Sequence, residues 1–399
     1  MRPRTPDSIP GMRLLILPLL ALCALPAHAI QVCEIEGQSI NPNNGSATAG
    51  KTGLMRCRDG ADGPVVREQE LRNGIYMGVV RFYKDGVLKS EHHVNERGNR
   101  DGLAREFAGK QLVSEQTYRN GNTVGLQRRW HENGQPKRMT FYGDDGREQA
   151  VAEFTMQGKL YNLRCAAQPQ LAPDADDAAW CGHRGKASPV TLYSENGSPR
   201  GSLLFERGEL RKSDTLWSDG TLREQVESDA RGGTERGFSG NGVKLSERQW
   251  VNVSSDGRTR RVGTLEREYH ESGTLVRERQ WKVTDRGGEL QLEQRWYLNG
   301  QLKEKQEYLV VEGKAARRET YFHDNGRVSS EGLWIVADRY SNQASGVHKS
   351  YDSEGHLRLQ RYHDAKGRVT RERELDEAGQ AKRDDELFED GSRKAFQAR

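Results

Sequence analysis

Apolar residues along this chain are sparse, and they recur in register with turn dipeptides rather than with a helical period. An aromatic residue stands four positions before a glycine in Phe82-Tyr-Lys-Asp-Gly86, Trp130-His-Glu-Asn-Gly134, Tyr193-Ser-Glu-Asn-Gly197 and Phe238-Ser-Gly-Asn-Gly242. The pattern continues in Tyr269-His-Glu-Ser-Gly273, Trp296-Tyr-Leu-Asn-Gly300, Phe322-His-Asp-Asn-Gly326 and Tyr351-Asp-Ser-Glu-Gly355, with Trp217 and Asp219-Gly220 as a form shortened by one residue. After the glycine, an apolar residue or Pro stands at Gly+2 and a large apolar residue at Gly+8: Leu275 and Trp281, Leu302 and Tyr308, Val328 and Trp334, Pro136 and Tyr142, Pro199 and Phe205. An even separation on one extended strand predicts that Gly+2 and Gly+8 share a face.

The spacing sets the unit. Gly355, Gly367, Gly379 and Gly391 follow one another at intervals of 12 residues, which is one strand plus one tight turn. Two units make a hairpin of about 24 residues, the scale of a repeat. Asn-Gly and Asp-Gly predict two-residue type I′ turns, which need positive φ at both central positions. Strands such as Leu222-Arg-Glu-Gln-Val226 carry too few apolar residues to bury a face alone, so each hairpin must lie beside the next, with cross-strand Arg/Glu pairs adding about 0.2–1 kcal/mol each. The expected fold class is therefore all-β.

The aromatic-x-(Glu/Asp)-Asn-Gly-x-Leu-Lys-x-Glu pattern, best seen at Trp296–Glu304 and Phe82–Glu91, resembles the bacterial variant of the MORN repeat over most of residues 71–395, with poor matches at 100–125 and 145–190. The resemblance implies an elongated array of antiparallel β-hairpins forming a twisted sheet. It also implies antitoxin-like or immunity-like roles for bacterial members and lipid-associated scaffolding for eukaryotic ones.

Composition adds a compartment and removes some functions. Arg2, Arg4 and Arg13 precede the apolar run Leu14–Leu25, and Ala27-His28-Ala29 follows it. That order predicts a signal peptide over residues 1–29, cleaved after Ala29, and the run is too short to span a bilayer. Leu22 stands where a lipidation signal at Cys23 needs a small residue. Residues 1–29 hold three Arg and one Asp, so their removal lowers the formal charge from +4 to +2, which gives no general attraction to nucleic acid and does not favour membrane association. Apolar residues make up 34% and charged residues 30% of the chain; near-neutrality and glycines in register argue against disorder.

Four cysteines remain after cleavage: Cys33, Cys57, Cys165 and Cys181. Three connectivities are possible, and locality favours Cys33–Cys57 and Cys165–Cys181. The expected organisation is a signal peptide at 1–29, a disulfide-stapled cap at 30–70, repeats at 71–164, a disulfide-closed insertion at 165–181 and repeats at 182–399. The insertion carries Pro169, Pro173, Asp174, Asp176, Asp177 and Trp180. As a stapled loop projecting from a regular sheet it is the candidate partner-binding element.

No catalytic constellation is expected. Gly237-Phe-Ser-Gly240 lacks the glycine two places after the serine of a nucleophile elbow. Gly240-Asn-Gly242-Val-Lys244 lacks the spacing of a phosphate loop. His131, His270, His323 and His363 recur beside turns, which points to turn chemistry, and His183 is the lone histidine near Cys181. Arg258–Arg261 and Lys314–Arg318 lie among equal numbers of acids. The reading is a non-enzymatic protein with no cofactor and no metal. Export and resemblance together imply a periplasmic immunity protein that binds and neutralises a cognate secreted toxin, such as a type VI secretion phospholipase. The alternatives are an envelope scaffold binding lipid or glycan, and an adhesin or receptor module.

Overall fold

The structure is a computed structural model that describes residues 31–185, 189–255, 257–336 and 341–397. The export signal and its cleavage site fall outside these residues. The chain is almost entirely strand, in two antiparallel sheets of 12 and 17 strands. Neighbours in each sheet are neighbours in sequence, except at the N-terminus, where Gln31–Ile35 lies between Gln38–Ile40 and Gly53–Asp59. Among the described residues no helix is long and apolar enough to cross a membrane. The chain divides after Gly102 into two compact units.

In the first unit, Cys33 lies directly opposite Cys57 on paired strands and is joined to it by a disulfide. Both are buried with Ile35, Ile40, Met55 and Leu71 in one apolar cluster. A one-turn helix, Gly45–Thr48, is capped by the Asn44 side chain, and the Tyr76 hydroxyl donates to the Pro42 carbonyl at 2.8 Å. These contacts pin the connection Asn41–Thr52 onto the sheet.

In both units the turns set the register. At Asn73-Gly74, Asp85-Gly86 and Asn120-Gly121 both residues have positive φ, the two-residue I′ turn that these pairs predict. The aromatic-x-x-Asn-Gly turns differ from that expectation. At Gly134, Gly197, Gly242, Gly300 and Gly326 only the glycine has positive φ. The loop has three residues: Gly300 N–H donates to the Tyr297 carbonyl at 3.0 Å and Tyr297 N–H to the Gln301 carbonyl at 2.9 Å. The asparagine stays at ordinary φ, and its Oδ1 is free to accept the Gln301 N–H at 2.9 Å.

These turns also overturn the parity expected of Gly+2 and Gly+8. Trp296 pairs with Leu302, whereas Arg295 pairs with Glu304, so Lys303 is an extra residue. The same bulge at Gly+3 follows Gly273, Gly326 and Gly355. One extra residue exchanges the faces of everything beyond it. Leu302 therefore shares a face with Trp296. Tyr308 stands on the other face with Gln306 and Glu304, and its hydroxyl donates to Gln306.

Beyond Glu206 the sheet is held by ion pairs more than by apolar packing. Among the described residues there, the buried ones are Val262, Ala316, Ala344 and the five glutamates Glu247, Glu278, Glu293, Glu304 and Glu319. On one face Arg236, Glu247, Arg267 and Glu278 lie opposite one another across four consecutive strands. Arg267 meets Glu278 at 2.6 Å and Lys244 meets Glu247 at 2.7 Å. The opposite face carries Arg277, Glu293, Arg295 and Glu304, with Glu293 held by both arginines. A carboxylate this deep is tolerable only when its lone pairs are used.

Candidate functional site

The insertion at 165–181 does not project. Cys165 and Cys181 are joined, and Leu171 and Ala175 are buried in the main apolar core of the second unit with Met139, Phe154, Leu160, Leu163, Val190, Leu192 and Phe205. This cluster draws on the last strands of the 12-stranded sheet and the first strands of the 17-stranded sheet. The segment is thus a plug that joins the two sheets where no strand pairing does.

Its polar residues serve the same end. Asp177 is buried and accepts the Gln170 and Leu171 N–H groups at 2.6 and 2.9 Å, which fixes the turn that sends Leu171 inward. Asp176 caps the short helix Asp177–Trp180 and pairs with Arg184 at 2.9 Å. Asp174 pairs with Arg128 at 2.8 Å. Trp180 is half-buried, with its ring 6.3 Å from that of Phe154. Pro169, Pro173, Asp174 and Asp176 are exposed. The structure therefore splits the six residues between an outer rim and an inner anchor.

One edge of the sheets carries a second order of bonding. His131 Nε2 lies 2.9 Å from the Phe154 carbonyl, and His323 Nε2 lies 3.1 Å from that of Tyr351. Tyr297 donates to the Phe322 carbonyl at 2.9 Å. Each joins the residue three before one turn glycine to the residue four before the next turn glycine on that edge. Asn133, Asn299 and Asn325 likewise donate to Met156, Asp324 and Ser353 carbonyls at 2.7–2.8 Å. Turn chemistry accounts for the recurrence of His131 and His323 at the turns.

Among the described residues the one grouping with metal-ligand geometry is Asp352, Glu354 and His356. Asp352 already accepts the Glu354 and His356 N–H groups and Arg358 Nε. Desolvation, the largest single influence, raises its pKa, but the hydrogen bonds from His356 and Arg358 together outweigh it and hold the group down at about 2. It is a turn brace.

Reading by sequence placed the Gly+8 aromatics as packing positions and did not separate them from the others. The bulges bring Trp250, Trp281, Tyr308, Trp334 and His363 onto one face, on every second strand. Trp250 lies opposite Gly263, Trp281 opposite Leu290, and Tyr308 and Trp334 flank Arg317. His348 bridges Trp334 and His363, with ring centroids 4.9 and 4.4 Å away. Three cavities open along this row. The first, of about 320 Å³, includes Trp250, Trp281, Arg248 and Glu266; the next, of about 310 Å³, includes Trp281, Arg260 and Gly288. The third, of about 380 Å³, includes Trp334, His348, His363 and Tyr321. The signal available in sequence was that Gly+8 is Trp, Tyr or His, never Leu, after each motif glycine from Gly242 to Gly355.

Comparison with known proteins agrees with the repeat. The MORN repeat variant family is matched at residues 123–144 and 292–309, so these two segments are MORN-variant repeats. No curated protein matches the sequence. Among solved structures the chain is similar, at 11% identity and a TM-score of 0.17, to the crystal structure of TcdB2-TccC3-Cdc42, covering 86% of this chain and 20% of that one. TcdB2-TccC3 matches at 11% identity with a TM-score of 0.13, over 86% of this chain and 21% of that chain. The chain thus spans about a fifth of the length of either.

Proposed function

We propose that the protein is an exported, non-catalytic repeat scaffold that acts by binding another protein, and that its role is to occlude a secreted antibacterial toxin in the periplasm. The carrying observation is the pair of disulfides, Cys33–Cys57 and Cys165–Cys181. Both fit an oxidising compartment; the first staples two paired strands and the second closes the plug segment. The signal-like N-terminus supports the same compartment. Broad faces of alternating Arg and Glu suit a protein partner of complementary charge pattern, because such patterns set register and selectivity. The exposed rim of the plug, with Asp174 and Asp176, is the first place to seek contact. A phospholipase delivered by type VI secretion is the toxin class of this reading.

The test is a competition between toxin-secreting cells and sister cells that lack this protein. The expected result is selective killing of the deletion strain, reversed by the exported protein and not by a form without residues 1–29. Equal survival of the two strains would sink the toxin-neutralising role.

A further inference from the structure

We propose that the row Trp250, Trp281, Tyr308, Trp334 binds a linear, extended β-1,4-linked polysaccharide lying across the strands. This site is separate from the plug and does not depend on the toxin reading.

Three observations carry it. The first is spacing. The four aromatics sit on every second strand of one face, so neighbours stand about 9.6 Å apart, twice the strand separation. That period is close to the disaccharide repeat of an extended β-1,4-linked chain, in which every second sugar presents the same face.

The second is relief. The residue opposite Trp250 on one neighbouring strand is Gly233 and on the other is Gly263. A Cβ at Gly233 would meet the Trp250 ring at 2.4 Å, and one at Gly288 would meet Trp281 at 3.5 Å. The Trp250 ring thus fills the space over Gly233, whereas a Cβ at Gly263 would meet nothing within 4 Å, and the cavities of about 320 and 310 Å³ share Gly263, Arg261 and Trp281. Both are at the scale of small-ligand sites.

The third is the chemistry around the rings. Arg261 stacks on Trp250 at 4.8 Å and Arg279 on Trp281 at 5.5 Å, which holds the indoles in place. Around the first cavity the polar rim is ion-paired: Arg248 pairs with Glu235 and Glu266 at 3.2 and 3.4 Å, and Arg279 with Glu266 at 2.5 Å, while Arg260 and Arg261 line the second cavity. The paired carboxylates and guanidinium groups retain lone pairs and N–H groups for vicinal hydroxyls. Apolar plates beside ion-paired polar groups match a sugar, which has an apolar face and a hydroxyl rim. A polyproline helix, which docks on aromatic ridges with an apolar floor, fits the ionic rim poorly.

The experiment is calorimetric titration of the full mature chain with chitohexaose and with cellohexaose, against their disaccharides and a proline-rich decapeptide. One hexasaccharide is expected to bind, with its disaccharide weaker by roughly tenfold, since the disaccharide reaches one ring only. The double substitution Trp250→Ala with Trp281→Ala should lower hexasaccharide affinity by roughly tenfold or more. Trp281→Phe should keep most of it, and Trp296→Ala, on the opposite face, should leave it unchanged. Circular dichroism of each variant separates loss of binding from loss of fold. The proposal is overturned if neither hexasaccharide binds the wild type. It is equally overturned if a folded double variant binds as well as wild type, or if only the proline-rich peptide binds at these tryptophans.

Discussion

Asn299 donates its side-chain amide to the carbonyl of Asp324, 2.7 Å away in the next turn along the edge, while its Oδ1 accepts the Gln301 N–H of its own turn. One side chain thus closes its own loop and fastens the neighbouring one. Asn299→Asp keeps the acceptor, loses the donor and sets a carboxylate beside a carbonyl. The expected cost is about 1 kcal/mol, read as a lower denaturant midpoint with unchanged slope. An unaltered midpoint would remove the cross-turn bond from the energetics.

The plug should behave as structure rather than as ornament. Asp177→Ala strands the Gln170 and Leu171 N–H groups in a buried site and should cost about 2 kcal/mol. Opening the bridge with Cys165→Ser and Cys181→Ser should cost about 3 kcal/mol through the freed unfolded chain. Trp180 reports locally, so its emission is expected to shift red in either variant before the global transition. If both variants melt with wild type, the segment is an insertion without structural duty.

Gly208 is a sharper probe of the same contact. Its φ is +84°, and an added Cβ would lie 2.1 Å from the Ala166 carbonyl oxygen. Its N–H meanwhile donates to the Cys181 carbonyl at 2.8 Å. Gly208→Ala is expected to destabilise by more than about 2 kcal/mol, since strain and overpacking act together. Gly220→Ala, at similar φ but with open space around it, should pay the backbone cost alone. Equal losses in the two variants would show that the plug contact contributes nothing.

Acid should loosen the ion-paired sheet. The hydrogen bond from Lys244 holds Glu247 below the usual carboxylate range, against a desolvation cost. Arg361 does the same for Glu372, and Arg371 for Asp384. Their folded pKa values lie below the unfolded ones of about 4, so this stabilisation is present above about pH 4 and is lost as pH falls through the folded values. The Tm should hold steady from pH 8 to 5 and fall below about 4. Glu247→Gln should make that fall shallower; a fall of the same steepness would acquit Glu247. At the alkaline end, burial and the Glu319 and Glu304 carboxylates push Tyr321 up to about 12. In a phenolate absorbance titration, Tyr321→Phe should therefore remove the slowest-rising component.

Much of the fold was legible because its signals are local. Glycines at fixed spacing name the turns, and Cys33 and Cys57 pair because they face each other on adjacent strands. What escaped depends on one residue of offset. Counting in twos from Leu302 puts Tyr308 beside it, yet the extra Lys303 carries Tyr308 to the other face. The turn type escaped for a related reason: the three-residue loop spares Asn299 a positive φ and frees its side chain for bonding. The plug was misread as a projection because Pro169, Pro173 and the aspartates look like surface. Leu171 and Ala175, four apart and both buried, were the apolar signal within it.

The strands Leu160–Arg164 and Val190–Tyr193 end their respective sheets, each with one strand partner. Such edges invite pairing between molecules. Here the chain's own segment, clasped by Cys165 and Cys181, packs against both. Its oxidation therefore governs how the molecule treats its copies, beyond what it adds to melting temperature. Reduction is expected to free two edges at once and to turn a discrete protein into one that accretes, visible as light scattering under reductant well below the unfolding temperature.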